Sequence, residues 1–137
     1  MCKIFCLFWE GVVIRSLVFL LVAGAVFLFV PKAQAGKPCS GVCSCTGVED
    51  CAFDCTVEGC SIECTGTGDC NVSCPKGKCK VTHTGTGNAT LDCPGDGCSL
   101  TCTGTGDCKV TSCTKGCKVS CTGTGACSCP TGCSKKK

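Results

Sequence analysis

Residues 64–70 read C-T-G-T-G-D-C, and variants of this heptapeptide begin at five places, each 19 residues after the last. They start at Cys45, Cys64, His83, Cys102 and Cys121. A fixed period near 20 residues is typical of a solenoid, in which each repeat stacks on its neighbours and none buries a core alone. The period therefore sorts this cysteine-rich chain into columns that can be compared with one another.

Short stretches of the form C-x-h-x-C, where h is an apolar residue, separate the T-G-T-G segments; they occupy residues 51–55, 60–64, 70–74, 98–102 and 117–121. Strict alternation around an aliphatic or aromatic centre indicates half-buried strands with the cysteines and the central residue pointing inward. The linking segments are rich in Gly, Pro and Thr, as turns are. The sequence predicts an all-β fold: a small disulfide-stapled β-solenoid of about five 19-residue coils, with two short strands per coil, preceded by a signal helix.

The first 35 residues have the order of a secretory signal peptide: basic residues, an uncharged apolar run over 17–30, and the motif Ala33-Gln34-Ala35 ahead of Gly36. An uncleaved membrane anchor is the alternative, although Arg15 interrupts the longer apolar count that a spanning helix needs. We expect a signal peptide at 1–35, a cysteine-rich β-solenoid at 36–133 and a basic tail at 134–137. The expected location is secreted, whether extracellular, periplasmic or cell-surface.

Twenty of the 22 cysteines lie after residue 35, where ten lysines face nine carboxylates. This cysteine content is far above the roughly 8–10% that already indicates a disulfide scaffold, and export would keep the thiols oxidised. The balanced charge does not favour a nucleic-acid partner. Because large apolar residues are few, the fold must be stapled by covalent bonds.

The third coil replaces the first two cysteines of its repeat together, with His83 and Ala89. Joint loss is expected if those two positions bond each other within a coil. We therefore predict ten in-coil disulfides: Cys39–Cys43, Cys45–Cys51, Cys55–Cys60, Cys64–Cys70, Cys74–Cys79, Cys93–Cys98, Cys102–Cys108, Cys113–Cys117, Cys121–Cys127 and Cys129–Cys133. The alternative connectivity runs between coils, for example Cys45–Cys64 and Cys102–Cys121, and strand spacing permits it.

The T-G-T-G segments are expected to stack into threonine ladders that include Thr65, Thr67, Thr84, Thr86, Thr103, Thr105, Thr122 and Thr124. The third coil keeps all four T-G-T-G residues although both flanking cysteines are gone, so the segment is more than a filler between bonded cysteines. In structural terms, glycines give the backbone freedom and threonines stack along the solenoid. In functional terms, the eight threonines form a candidate binding surface.

These T-x-T rows in a disulfide-stapled repeat resemble the hyperactive beetle antifreeze proteins, and the resemblance implies ice binding through the same eight threonines. Glycine, rather than cysteine, occupies the centre of each row here, which permits either a flat strand or a rounded turn. The segment G-T-G-N-A-T-L at 85–91 also resembles turns of short-repeat secreted bacterial β-solenoids, some of which bind calcium through stacked aspartates.

A calcium site would use the column formed by Asp50, Asp69 and Asp107, which Asn88 and Ala126 interrupt. Calcium prefers six to eight oxygen ligands, so one broken column is a thin site. The plainer interpretation is that these side chains close their own turns. Metallothionein-like binding of soft metals is a further alternative, but it favours closer cysteine spacing and reduced thiolates.

His83 is the single histidine and occupies a cysteine column, which favours a tolerated replacement over a ligand or a catalytic base. No serine elbow or paired carboxylates accompany it, so we predict no catalytic residues, no metal and no cofactor. The predicted function is a secreted or cell-surface, non-enzymatic structural or interaction module. Its partner is an unknown protein or surface, with ice as a candidate, and contact with a membrane is expected only through an uncleaved signal segment.

Overall fold

The computed structural model describes residues 36–137, and every regular element in this range is a β-strand. The alternation of small polar and apolar residues favours strands over helices, and glycine and proline keep each strand short. The strands are β1 (Lys37–Cys39), β2 (Val42–Cys45), β3 (Cys51–Cys55), β4 (Ser61–Cys64), β5 (Cys70–Ser73), β6 (Lys80–His83), β7 (Ala89–Asp92), β8 (Ser99–Cys102), β9 (Cys108–Ser112), β10 (Cys117–Cys121), β11 (Cys127–Ser128) and β12 (Cys133–Lys136).

The strands form two parallel six-stranded sheets, ordered β1-β3-β5-β7-β9-β11 and β12-β10-β8-β6-β4-β2. Each coil contributes one strand to each sheet, and successive coils pair in a 19-residue register, as in Cys51 with Cys70 and Val81 with Leu100. The register shortens to 16 residues at both ends, where Lys37 pairs with Phe53 and Cys117 with Cys133. The predicted β-solenoid is thus confirmed, with shortened terminal coils.

The core lies between the two sheets and is one residue deep on each side. Alternate residues of each strand are buried, as in the buried–intermediate–buried pattern of β3. One sheet contributes Phe53, Val72, Leu91 and Val110, and the other contributes Ile62, Val81, Leu100 and Val119; all are 7% exposed or less. Buried cysteines fill the ends of this apolar strip, so the core depends on covalent staples for its width.

Nine disulfides close the coils, and each joins two cysteines of one coil. Their Cα–Cα distances run from 5.9 to 6.6 Å, within the usual range for a disulfide. The bonded pairs are Cys39–Cys43, Cys45–Cys51, Cys64–Cys70, Cys74–Cys79, Cys93–Cys98, Cys102–Cys108, Cys113–Cys117, Cys121–Cys127 and Cys129–Cys133. None of these nine follows the between-coil alternative.

The tenth expected pair, Cys55–Cys60, is not bonded in the structure, which leaves two buried thiols in the second coil. The Cys60 Sγ atom lies 3.4 Å from the backbone carbonyl oxygen of Cys39 and 3.6 Å from that of Val57, so that its single thiol hydrogen is shared between the two acceptors. These bonds turn Cys60 toward the first coil. Burial, together with the neighbouring Cys60 and Asp54, raises the pKa of the Cys55 thiol to about 12, so this thiol is a poor nucleophile.

The last strand, β12, pairs in parallel with β10 through Lys136. The division expected at residue 134, between solenoid and basic tail, therefore falls inside a strand. Among residues 36–137 there is no helix with the length and apolar character needed to span a membrane. The predicted signal peptide at 1–35 lies outside the described residues.

Candidate functional site

The T-G-T-G segments cross from one sheet to the other along one edge of the solenoid. The five residues between Cys64 and Cys70 span a Cα–Cα distance of only 6.3 Å, whereas an extended chain of that length would cover roughly 20 Å. Each segment is therefore a rounded arc rather than a flat strand. The arc bends at its glycines, which face inward while the threonines face outward.

The arcs of neighbouring coils are hydrogen-bonded through their backbones. The amide of Thr65 donates to the carbonyl of Cys45 at 2.9 Å, and the amide of Thr67 donates to Gly47 at 2.8 Å. The same pair of bonds recurs in the third and fourth coils at 2.9–3.2 Å, and Thr105 and Thr124 form a parallel bridge. The parallel stacking of the sheets thus continues around this edge and fixes the position of every arc.

Glycine is required in the arcs because neighbouring backbones approach closely. A Cβ atom placed on Gly104 would lie 1.7 Å from the carbonyl oxygen of Gly85 in the preceding coil. Such a contact is not possible without separating the two coils. The glycines between the threonines are therefore a steric condition of stacking.

The eight predicted threonines are brought together along this edge, and all are solvent-exposed. We call them the threonine edge: Thr65, Thr67, Thr84, Thr86, Thr103, Thr105, Thr122 and Thr124. In the first coil, Thr46 extends one of the two threonine columns, but Val48, which is 80% exposed, takes the place of the second threonine. The Thr122 hydroxyl also donates to the carbonyl of Cys102 at 3.5 Å. The threonine edge thus consists of two columns, and each of four successive coils contributes one threonine to both columns.

A second column links the coils through side chains, and we call it the Asx column: Asp50, Asp69, Asn88 and Asp107. The Asp50 carboxylate accepts a hydrogen bond from the amide of Asp69 at 2.9 Å, and the Asp69 carboxylate accepts one from Asn88 at 2.8 Å. Asn88 in turn accepts from Asp107 at 3.0 Å, and Asp107 accepts from Ala126 at 2.8 Å. The side chains thus bond to the next coil rather than close their own turns as expected.

This arrangement explains both interruptions of the aspartate column. An asparagine carbonyl oxygen accepts a backbone hydrogen bond as a carboxylate does, so Asn88 continues the series. Ala126 needs no side-chain oxygen for its own part in the series, because its backbone amide donates the last bond to Asp107. The groups of residues 36–137 that could hold a metal consist of cysteines and His83, without these aspartates. The column therefore has a structural use, which its 19-residue spacing of Asp and Asn could have indicated.

His83 occupies the space between two disulfides, Cys64–Cys70 and Cys102–Cys108. It pairs with Cys64 on one side and Cys102 on the other, and its side chain is 1% exposed. Its Nε2 atom has no hydrogen-bond partner within the described part of the chain. Burial lowers the pKa of the His83 imidazole, and the Asp69 carboxylate opposes that shift. The ring thus fills the space between the two disulfides, and within residues 36–137 its Nε2 atom is left without a hydrogen-bond partner.

Comparison of the chain with protein-family models, curated proteins and solved structures found no match. The resemblance to beetle antifreeze proteins therefore rests on the T-x-T rows and on the stapled solenoid alone. The site must be interpreted from its own geometry.

Removing the side-chain acceptor of the Asx column should destabilise the fold without changing its disulfides. We expect Asp69→Ala to lower the free energy of unfolding by about 1 kcal/mol, because the amide of Asn88 loses its acceptor. Asp69→Asn is the matched control, since it keeps an acceptor oxygen and should cost much less. Denaturant unfolding of the oxidised proteins, with and without calcium, measures both. Equal stability of the two variants would contradict the structural role, and a calcium-dependent gain lost in Asp69→Asn would support a calcium site instead.

Restoring the missing cysteines of the third coil should add a staple. The corresponding cysteine pairs in neighbouring coils have Cα–Cα distances of 6.3 and 6.6 Å, so His83→Cys with Ala89→Cys should form a disulfide. We expect a gain of about 2 kcal/mol in unfolding free energy.

The same double variant should remove a pH dependence. Because the pKa of folded His83 is lowered from 6.5, the unfolded chain binds a proton more readily, and native stability falls as pH drops below that value. Unfolding measured at pH 5 and pH 7.5 tests this effect. A double variant that forms its disulfide yet loses stability at pH 7.5, or one that keeps the full pH dependence, would contradict the account.

Proposed function

We propose that this chain is an exported, non-enzymatic interaction module whose threonine edge is the contact surface. The observation that carries the proposal is the exposure of all eight threonines on arcs whose backbones are fixed by hydrogen bonds between coils. A surface held in this way loses little conformational freedom when it meets a partner, which favours binding. The nine disulfides support an oxidising, extracytoplasmic location, as is typical of such scaffolds.

The chemistry of the remaining residues supports a binding role over catalysis. The buried His83 ring faces two disulfides, and the carboxylates of Asp50, Asp69 and Asp107 accept backbone hydrogen bonds. A general base needs access to a substrate and a nearby group that tunes it. Within residues 36–137, neither His83 nor these carboxylates offer that combination.

Ice is the second candidate partner, and the regularity of the threonine edge favours it. Coils stacked as parallel strands place successive threonines about 4.8 Å apart, so hydroxyl and methyl groups repeat along the edge at one spacing. The pattern is only two columns wide because the arcs are narrow. The Cα atoms of the cysteines that flank an arc lie 6.3 Å apart in Cys64–Cys70 and 6.6 Å apart in Cys102–Cys108. A narrow edge of this kind suits a small binding face.

Substitutions on and off the edge separate its role from the stability of the fold. We expect Thr84→Lys with Thr103→Lys to abolish partner binding, since two long charged side chains would stand on the centre of the edge. Thr82→Lys with Ser120→Lys is the matched control on the outer face of the sheet containing β6 and β10, where Thr82 lies between Glu63 and Thr101. Both variants should keep the wild-type disulfides and unfolding transition, because all four positions lie on the outside of the solenoid.

Binding is measured in two ways on the oxidised protein. Photo-crosslinkers at Thr103 and at Ser120 are compared for adducts with extracellular material of the producing cells, and thermal hysteresis with ice-affinity partitioning tests ice. Adducts at Thr103 that are absent at Ser120 would support the interaction module. Thermal hysteresis that the edge variant loses and the control keeps would identify ice as the partner. Equal crosslinking at both positions, without thermal hysteresis, would contradict a role for the threonine edge.

A further inference from the structure

Gly36, the first described residue, packs tightly against strand β3. A methyl group placed on Gly36 would lie 2.9 Å from the carbonyl carbon of Phe53 and 3.1 Å from the carboxylate carbon of Asp54. Any side chain at this position would therefore have to displace the backbone of β3. The Asp54 carboxylate consequently lies next to the backbone at the start of the solenoid.

The same residue follows the motif Ala33-Gln34-Ala35, after which the sequence predicts removal of a signal peptide. Cleavage there would convert the amide nitrogen of Gly36 into a free α-ammonium group. That nitrogen is bonded to the Gly36 Cα atom, and the Asp54 carboxylate borders the position that a side chain on this Cα would take. Gly36 thus combines two independent features: it follows a predicted cleavage motif, and it packs closely against β3.

We propose that cleavage after Ala35 creates an N-terminal ammonium group that pairs with the Asp54 carboxylate and fastens the first strand to the solenoid. The inference rests on the predicted cleavage and goes beyond the proposed binding function. Removal of the signal peptide would then also stabilise the first coil. The terminal amine becomes part of the cap on the first coil.

The Asp54 carboxylate is accessible to such a partner. It borders a shallow depression of about 220 Å³ on the outer face of the first sheet, whose lining also includes Gly36, Ser73 and Asp92. The Asp92 carboxylate accepts hydrogen bonds from the hydroxyls of Thr111 and Ser112. Within residues 36–137 the Asp54 side chain makes neither a hydrogen bond nor an ion pair. A cation at Gly36 would provide its partner.

Strand β1 needs an additional attachment because it is an edge strand of three residues. Lys37 and Pro38 are exposed, and only Cys39 is buried. The other charged groups on this outer face are Asp92 on β7 and the exposed Lys109 on β9. Lys37 aligns with the buried Phe53, whereas Pro38 is the β1 residue that aligns with Asp54. The new ammonium group lies on the side of β1 that borders Asp54, and so it reinforces pairing between β1 and β3.

The first measurement is N-terminal sequencing of the exported protein. We expect Gly36 at the N-terminus, and any other first residue would overturn the proposal. The second measurement is made on purified oxidised protein, so that the contact is tested separately from the processing. It compares a chain beginning at Gly36 with one that retains Ala35, in which the ammonium group is displaced by one residue, about 3.8 Å along the chain.

The pKa of the terminal amine, followed by NMR titration, is the readout. We expect it to be higher by about half a unit or more in the chain beginning at Gly36, because an adjacent carboxylate stabilises the charged form. Asp54→Asn should remove this difference, whereas Lys37→Gln should preserve it. Equal amine pKa values in the two chains, or a difference that persists in Asp54→Asn, would overturn the ion pair.

Discussion

Parallel backbone hydrogen bonding between coils in a 19-residue register is the constraint on which the rest of this structure depends. Every coil must repeat the path of the previous one closely enough for its amides to meet carbonyls one turn away, both in the sheets and around the T-G-T-G arcs. The arcs are the most demanding part of this path. Because a Cβ atom on Gly104 would collide with the backbone of the preceding coil, stacking dictates the sequence there.

The disulfides and the Asx column act in perpendicular directions. The nine bonds lie within coils and hold the two sheets at a fixed separation across a core only two side chains thick. The side chains of Asp50, Asp69, Asn88 and Asp107 run along the solenoid and tie each arc to the next. The third coil can lose one disulfide, with His83 filling the space, because its backbone and Asx bonds to both neighbours remain.

Much of this architecture could be predicted because the five repeats of the chain can be aligned with one another. The period predicted the coils, the C-x-h-x-C alternation predicted which residues are buried, and the joint loss at His83 and Ala89 indicated pairing within coils. The unbonded Cys55 and Cys60 could not be predicted, because their spacing equals that of the bonded Cys74–Cys79. What differs is the contact of Cys60 with the carbonyl oxygen of Cys39 in the first coil, which is a tertiary contact.

The placement of the threonines on stacked, exposed arcs could be predicted, whereas the shape of the arcs could not. The eight threonines could be read from the repeat, whereas the curvature of the arc depends on how glycine and the flanking cysteines combine in three dimensions. The role of the Asx side chains was also missed. An aspartate at the end of a turn can accept a hydrogen bond from its own turn, and this local interpretation was preferred to a bond with the next coil.

Hydrogen exchange at the threonine amides tests the stacking of the arcs most directly. The amides of Thr84 and Thr103 donate to the preceding coil, so they should be protected to a degree comparable with the strand residue Val81 although their side chains are exposed. Thr46, in the first coil, has no such acceptor within residues 36–137 and is the internal control. Slow exchange at Thr84 and Thr103 with fast exchange at Thr46 is the predicted result. If the amides of Thr84 and Thr103 exchange as fast as that of Thr46, the account is contradicted.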